Sequence, residues 1–295
     1  MKITTAIIPL GGKGTRFLPA SKACAKELFP IVDKPALLLI LEECLESGIK
    51  NVVLVISKEK ENIRTFLSPD KKLESWLKSQ GRLSYLDEFK AITKKLKMEF
   101  VYQDDRYIGS GGAIYVTKSL IKNKPFAVLY ADDLNYTPRG KAPAIKQLID
   151  AYEKNSGMII GCQEVSSDVI SKYSSCKIAK KISENIYQIS DIIEKPKKGT
   201  EPSLIAGLAR YIMPKETFTY LEKQVKNSKQ NVEINLTDTM GLIAKDGYPT
   251  YAVIMDSIRY DTGDKLGYLK AIVEYGLRDE KLGNDFKKYL KDLKQ

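Results

Sequence analysis

Nine short runs of β-branched and apolar residues alternate along the chain with segments whose apolar residues recur at helical spacing. This alternation narrows the fold more than any other feature. The runs span residues 5–10, 51–57, 98–103, 126–131, 157–165, 177–182, 186–193, 204–213 and 250–255. Between them, Leu37, Leu38, Leu41 and Leu45 form one helical stripe that Gly48 ends, and Ile145, Leu148, Ile149 and Tyr152 form another. Two more helices are expected over 266–277 and 286–293, the last packing within the chain. Strands separated by helices predict an α/β fold, with a mixed, mostly parallel sheet flanked by helices. The strand-rich stretch 157–213 predicts an inserted antiparallel region. No repeat, low-complexity tract or linker divides the 295 residues, so one domain is expected.

The chain contains no histidine. Ser-His-Asp and Cys-His nucleophile systems, His-ligated zinc and an imidazole proton shuttle are therefore excluded. Lys and Arg number 48 against 37 Asp and Glu, a net charge of +11, which suits an anionic partner. Acids intersperse the bases even near the C-terminus, where Asp279, Glu280, Asp285 and Asp292 sit among Arg278, Lys281, Lys287, Lys288 and Lys291. No nucleic-acid-binding pattern accompanies them, so nucleic acid is not expected and a small polyphosphate is. Cys24, Cys44, Cys162 and Cys176 form no Cys-x-x-Cys and read as reduced, mostly buried thiols of a cytoplasmic chain. Neither a signal peptide nor a membrane span is expected.

The first strand runs into Leu10-Gly11-Gly12-Lys13-Gly14-Thr15-Arg16-Phe17-Leu18-Pro19. Glycines at a strand's end let backbone N–H groups approach a phosphate or a base. A P-loop is ruled out because Gly14 follows Lys13, and the dinucleotide fingerprint because Phe17 stands where its third glycine belongs. A second cation, Lys26, follows ten positions after Arg16. Gly12-x-Gly14-Thr15-Arg16, Pro19, Lys26-Glu27 and Pro30 together resemble the signature of the sugar-1-phosphate nucleotidylyltransferases, and the resemblance extends from residue 7 to about 293.

That resemblance implies a Rossmann-like fold of the nucleotide-diphospho-sugar transferase type. A nucleotide-binding half is expected over about 1–135, a sugar-binding half over about 136–262 and C-terminal helices over about 263–295. It implies that Arg16 and Lys26 hold a triphosphate, with Leu10, Gly11, Gly12, Gly14, Thr15 and Glu27 around the nucleotide. Gln103 and the glycine loop at Gly109 and Gly111 would contact the base; an amide that donates and accepts suits uracil. Asp132, ending the apolar run 126–131, and Asp261 are implied metal ligands, which for Mg2+ would share the ion with phosphate oxygens and water. Read without the family, Asp132-Asp133 and Asp261-Thr262-Gly263 are more often caps of turns or helices than metal ligands. Asp133, Ser174, Glu194 and Glu233 fall on the sugar side, and Lys195 of Glu194-Lys195-Pro196 would bind the sugar phosphate.

Five departures from the family pattern stand out. One extra residue separates Gln103 from Gly109, Gly112 replaces a histidine, Asp264 an asparagine, and Ser174 and Ala209 replace glycines. The expected reaction joins UTP and glucose 1-phosphate into UDP-glucose and pyrophosphate with Mg2+, in a homo-oligomer. Its rivals are a pyrophosphorylase for another sugar or nucleotide and a non-catalytic nucleotide-sugar-binding homologue.

Overall fold

The structure, a computed structural model, describes residues 2–227 and 232–293. Its strands in chain order are β1 (Thr5–Pro9), β2 (Pro30–Ile31), β3 (Lys34–Pro35), β4 (Asn51–Ile56), β5 (Lys97–Tyr102), β6 (Phe126–Leu129) and β7 (Asp133–Tyr136). There follow β8 (Met158–Glu164), β9 (Ser174–Lys181), β10 (Ile186–Glu194), β11 (Ile205–Met213), β12 (Thr250–Ile254) and β13 (Ile258–Asp261). Nine of them form one sheet in the order β5-β4-β1-β6-β11-β8-β12-β10-β9. Each run of the sequence reading became one of these nine strands.

Strand alternation explains why the sheet is covered on both faces. On β1, Ile7 belongs to one apolar cluster and Ile8 to the other; on β6, Phe126 and Val128 face one way and Ala127 and Leu129 the other. Helix Ala36–Glu46 buries Leu37, Leu38, Leu41 and Cys44, and Gly48 at φ 80° turns the chain into β4. Helix Ala144–Asn155 lays Ile145, Leu148 and Ile149 against β8 and β11, while helix Leu236–Lys245 covers β10. Cys44, Cys162 and Cys176 are buried and Cys24 partly so, all as free thiols. Among the described residues, no helix is long and apolar enough to cross a membrane.

The expectation of a mostly parallel sheet is corrected. The pairings β5–β4, β4–β1, β1–β6 and β8–β12 are parallel, but β6–β11, β11–β8, β12–β10, β10–β9 and β11–β9 are antiparallel. Connection length is the physical reason. Parallel neighbours need a crossover, and β9 and β10 are joined by too short a turn to make one. The antiparallel strands are not a separate insert either, because they continue the main sheet. The second half of the sheet curls until β9 also pairs with β11, Ser174 opposite Gly207.

Candidate active site

The parallel strands β1, β4, β5 and β6 all end at the same edge, where open α/β sheets bind ligands. A cleft of about 660 Å³ opens there, lined by Gly11, Gly12, Lys26, Glu27, Gln103 and Gly109. A second, of about 860 Å³, is lined by Arg16, Asp133, Ser174, Glu194, Lys195 and Asp261. The two share Ser110, Tyr130, Asp132 and Glu233, so Asp132 stands where they meet. Leu10, Gly14, Thr15 and Gly111 line neither. Leu10 is buried with its carbonyl bonded to Lys60, Gly14 turns the loop at φ 63°, and the Gly111 N–H donates to Ile234 at 2.7 Å.

Asp132 accepts a hydrogen bond from Lys26 Nζ at 2.5 Å. Burial alone would raise the Asp132 carboxyl, but the Lys26 ammonium outweighs it and holds the group below the usual carboxylate range. Lys26 is pushed up in turn, because Asp132 outweighs the effect of its burial. Asp261 enters from β13, whose register sets it directly opposite Asp133 of β7. A Cβ on Gly263 would lie 3.0 Å from Asp261 Oδ1 and 3.1 Å from Asp132 Oδ2. Gly263 thus leaves open a cradle between two carboxylate oxygens, one of which already holds a cation. Hard oxygen donors in a pair suit a divalent ion such as magnesium. Among the described residues no group of three or more acids, histidines or cysteines could hold a metal by itself, so further ligands would come from phosphate and water.

Arg259 was absent from the sequence reading. Its Nε bonds Asp133 Oδ2 at 2.5 Å, Nη1 bonds the Tyr173 hydroxyl at 3.1 Å and Nη2 lies 3.5 Å from Asp261 Oδ2. Two carboxylates facing each other across a strand pair repel, and Arg259 offsets that charge. Burial still dominates at Asp133 and raises its carboxyl. The signal was present: residues two apart on a strand share a face, so Arg259 had to lie beside Asp261. Lys60 was missed as well. Its side chain is buried, and Nζ bonds both carboxylate oxygens of Glu27 at 2.8 and 2.7 Å and the Leu10 carbonyl at 2.6 Å. Lys60, in the turn after β4, therefore ties Glu27 to the start of the glycine loop.

Arg16 Nη1 donates to the Gly263 carbonyl at 3.3 Å. Lys195 takes φ 42°, its N–H bonded to the Tyr173 carbonyl at 3.0 Å; such a side chain in left-handed backbone is a local strain typical of functional sites. Gln103 lies one residue past β5, and its amide N–H donates to the carbonyls of Tyr107 and Gly109 at 3.4 and 3.3 Å. The expected glycine loop at 109–113 is instead the start of helix Gly109–Tyr115. Its glycines are required by contact, since a Cβ on Gly112 would meet the Tyr107 carbonyl oxygen at 1.9 Å. Ser174 is buried and its hydroxyl donates to the Gly207 carbonyl at 3.1 Å. Asp264 caps helix Lys265–Arg278, accepting from the Gly267 N–H at 2.9 Å.

The glycine loop, the cations Lys26 and Arg16 and the acids Asp132 and Asp261 thus line two adjoining clefts that meet at Asp132. The family model for nucleotidyl transferases matches residues 5–276, and the chain belongs to that family. Within it, the chain is 39% identical over 292 residues to the UTP–glucose-1-phosphate uridylyltransferase of Staphylococcus haemolyticus, 99% of each chain being covered. A UTP-bound UGPase from Acinetobacter baumannii superposes with a TM-score of 0.89 at 31% identity, over 99% of this chain and 100% of that one. A UDP-glucose pyrophosphorylase complexed with UDP-glucose gives a TM-score of 0.82 at 31% identity, over 94% and 100%.

Proposed function

We infer that this chain transfers UMP from UTP to α-D-glucose 1-phosphate, forming UDP-glucose and releasing pyrophosphate. The observation that carries the reading is the meeting of the two clefts at Asp132, within a chain related end to end to uridylyltransferases. Residues of about 1–135 then serve as the nucleotide half and about 136–262 as the sugar half, with the C-terminal helices following from about 263.

In the reaction, a phosphate oxygen of glucose 1-phosphate attacks the α-phosphorus of UTP in line. A new P–O bond forms as the bond to the β-phosphate oxygen breaks, and pyrophosphate leaves with the electron pair. A phosphate monoester is mostly dianionic at neutral pH, its second pKa being about 6, so no general base is needed and the missing histidines cost nothing. Catalysis rests on placement and on neutralising charge. Arg16 and Lys26 hold the triphosphate and Lys195 the acceptor phosphate. Gly11, Gly12, Gln103 and Gly109 place uridine; Glu194, Glu233 and Asp133 face the hexose. Asp132 and Asp261 would hold Mg2+, which supplies positive charge against the phosphate oxygens when bound. A homo-oligomer belongs to the same reading; its support is the apolar cleft at Val32, Ile272 and Phe286 with Tyr289 exposed beside it.

Pyrophosphate release measured over a grid of nucleoside triphosphates and sugar 1-phosphates tests the assignment. The highest kcat/KM is expected for UTP with glucose 1-phosphate. A wide preference for another pair would replace the substrate assignment, and no release with any pair would favour a binding homologue.

A further inference from the structure

Arg210 on β11 is fully buried, and no substrate group is assigned to it. Its guanidinium is spent entirely on two kinds of partner. On one side, Nε and Nη2 grip Glu43 of helix Ala36–Glu46 at 3.0 and 2.7 Å. On the other, Nη2 donates to the Asp133 carbonyl at 2.9 Å, and Nη1 to the carbonyls of Tyr130 at 3.3 Å and Ala209 at 3.0 Å. The Tyr130 and Asp133 carbonyls stand on either side of Asp132. The carbonyl of Asp132 itself accepts the Thr262 N–H at 2.8 Å, one residue beyond Asp261. Glu43 is anchored independently, because its Oε1 also accepts the Ile145 N–H at 2.9 Å at the start of helix Ala144–Asn155.

We propose that Arg210, held by Glu43, is a positioning residue that fixes the Asp132 carboxylate for the divalent cation. The proposal rests on the reading of Asp132 as a metal ligand. A buried ion pair is a poor way to gain stability, since apolar side chains of the same volume fill such a space at less desolvation cost. A planar fork with five donors does what they cannot: it bonds two carbonyls of one turn while facing a carboxylate. Asp132 lies past the end of β6 and has no strand pairing of its own, so its backbone needs such a support. Groups that orient a metal ligand typically change metal affinity about 10–100-fold when altered.

The test compares Arg210→Lys with Asp132→Asn in the full chain. Mn2+ binding is read from loss of the free-ion EPR signal, with and without UTP; turnover is titrated with Mg2+; UTP affinity is measured in EDTA. Arg210→Lys is expected to weaken Mn2+ binding about tenfold or more and to raise the Mg2+ half-saturation alike. Its UTP affinity in EDTA should stay within about twofold of the parent, because the Arg210 side chain itself lines neither cleft. A folded Arg210→Lys protein with parental Mn2+ affinity overturns the proposal, even if its Tm falls. Asp132→Asn separates the two levels. Parental Mn2+ binding in that variant removes the metal reading itself, whereas its loss beside a normal Arg210→Lys removes only the positioning role. Should Arg210→Lys fail to fold, Glu43→Gln replaces it, keeping an oxygen for Arg210 Nε and the Ile145 N–H. It is expected to weaken Mn2+ binding in the same direction, and unchanged affinity there overturns the proposal equally.

Discussion

Asp132 and Ser174 show how differently two residues of one site respond to their surroundings. Asp132 keeps its charge although half-buried, because Lys26 sits on it. Its contribution to stability is present above the ordinary carboxylate range and is lost as pH falls through its depressed value. That of Lys26 is present below the ordinary ammonium range and is lost as pH rises through its elevated value. Asp132→Ala and Asp261→Ala should each lower turnover about a hundredfold or more, as loss of a preorganised charge-stabilising group does; near-parental kcat in either, with saturating Mg2+, would take that residue out of the site. Ser174, expected as a departure from a glycine of the family, spends its hydroxyl on the Gly207 carbonyl. Ser174→Gly should therefore change the KM for glucose 1-phosphate by less than about tenfold, while the lost buried hydrogen bond costs about 1 kcal/mol of stability. A larger KM change, with the melt unaffected, would put the hydroxyl on the sugar.

At the scale of elements, the site depends on close approaches that only glycine permits. Helix Lys265–Arg278 begins directly over the Asp261 loop, and a Cβ on Gly267 would lie 1.9 Å from the Asp261 carbonyl oxygen. Backbone cannot yield that distance without the helix and the loop moving apart. Gly267→Ala should lower Tm, by about 1–3 kcal/mol of overpacking, and lower kcat through displacement of Asp261; a variant with parental Tm and kcat would show that the loop relaxes freely. Gly109 is constrained in the same way: at φ 88°, its missing Cβ would meet Glu233 Cγ at 2.5 Å and the Ile234 carbonyl at 2.6 Å. Helix Gly109–Tyr115 and the segment before helix Leu236–Lys245 are stitched here, with Ser110 Oγ 3.1 Å from Asn235 Oδ1 and accepting the Leu236 N–H at 3.0 Å. The two clefts are thus joined through these contacts.

For the whole molecule, the absence of histidine shapes the pH response. Lys26 and Asp132 are shifted away from neutrality, so neither titrates near pH 6. An acid limb of kcat/KM for glucose 1-phosphate should follow the second ionisation of the substrate, near about pH 6. Replacing that substrate with its phosphonate analogue, whose second ionisation lies higher, should move the limb upward by the same amount. A limb that stays in place would identify a protein group, and Asp133, which burial pushes up, is the first to examine.

Much of this was legible in the residue order. Nine strand runs, the glycine loop with Arg16 and Lys26, and the acids at 132 and 261 stand in the sequence because local pattern and short motifs encode them. Four things were decided only by tertiary structure. The parallel or antiparallel sense of each pairing depends on which strands become neighbours, so the β11 pairings could not be read from β11. The glycines at 109 and 111 begin a helix packed so closely on Ile234, a distant segment, that no side chain fits there. Ser174 meets Gly207 because the sheet curls, which its own alternation does not specify. Arg210, Arg259, Lys60 and Glu43 look like ordinary charged residues until folding sets each beside a partner 33 to 167 positions away. Periodicity reports which face a side chain is on; what faces it is fixed by distant segments arriving at the same place.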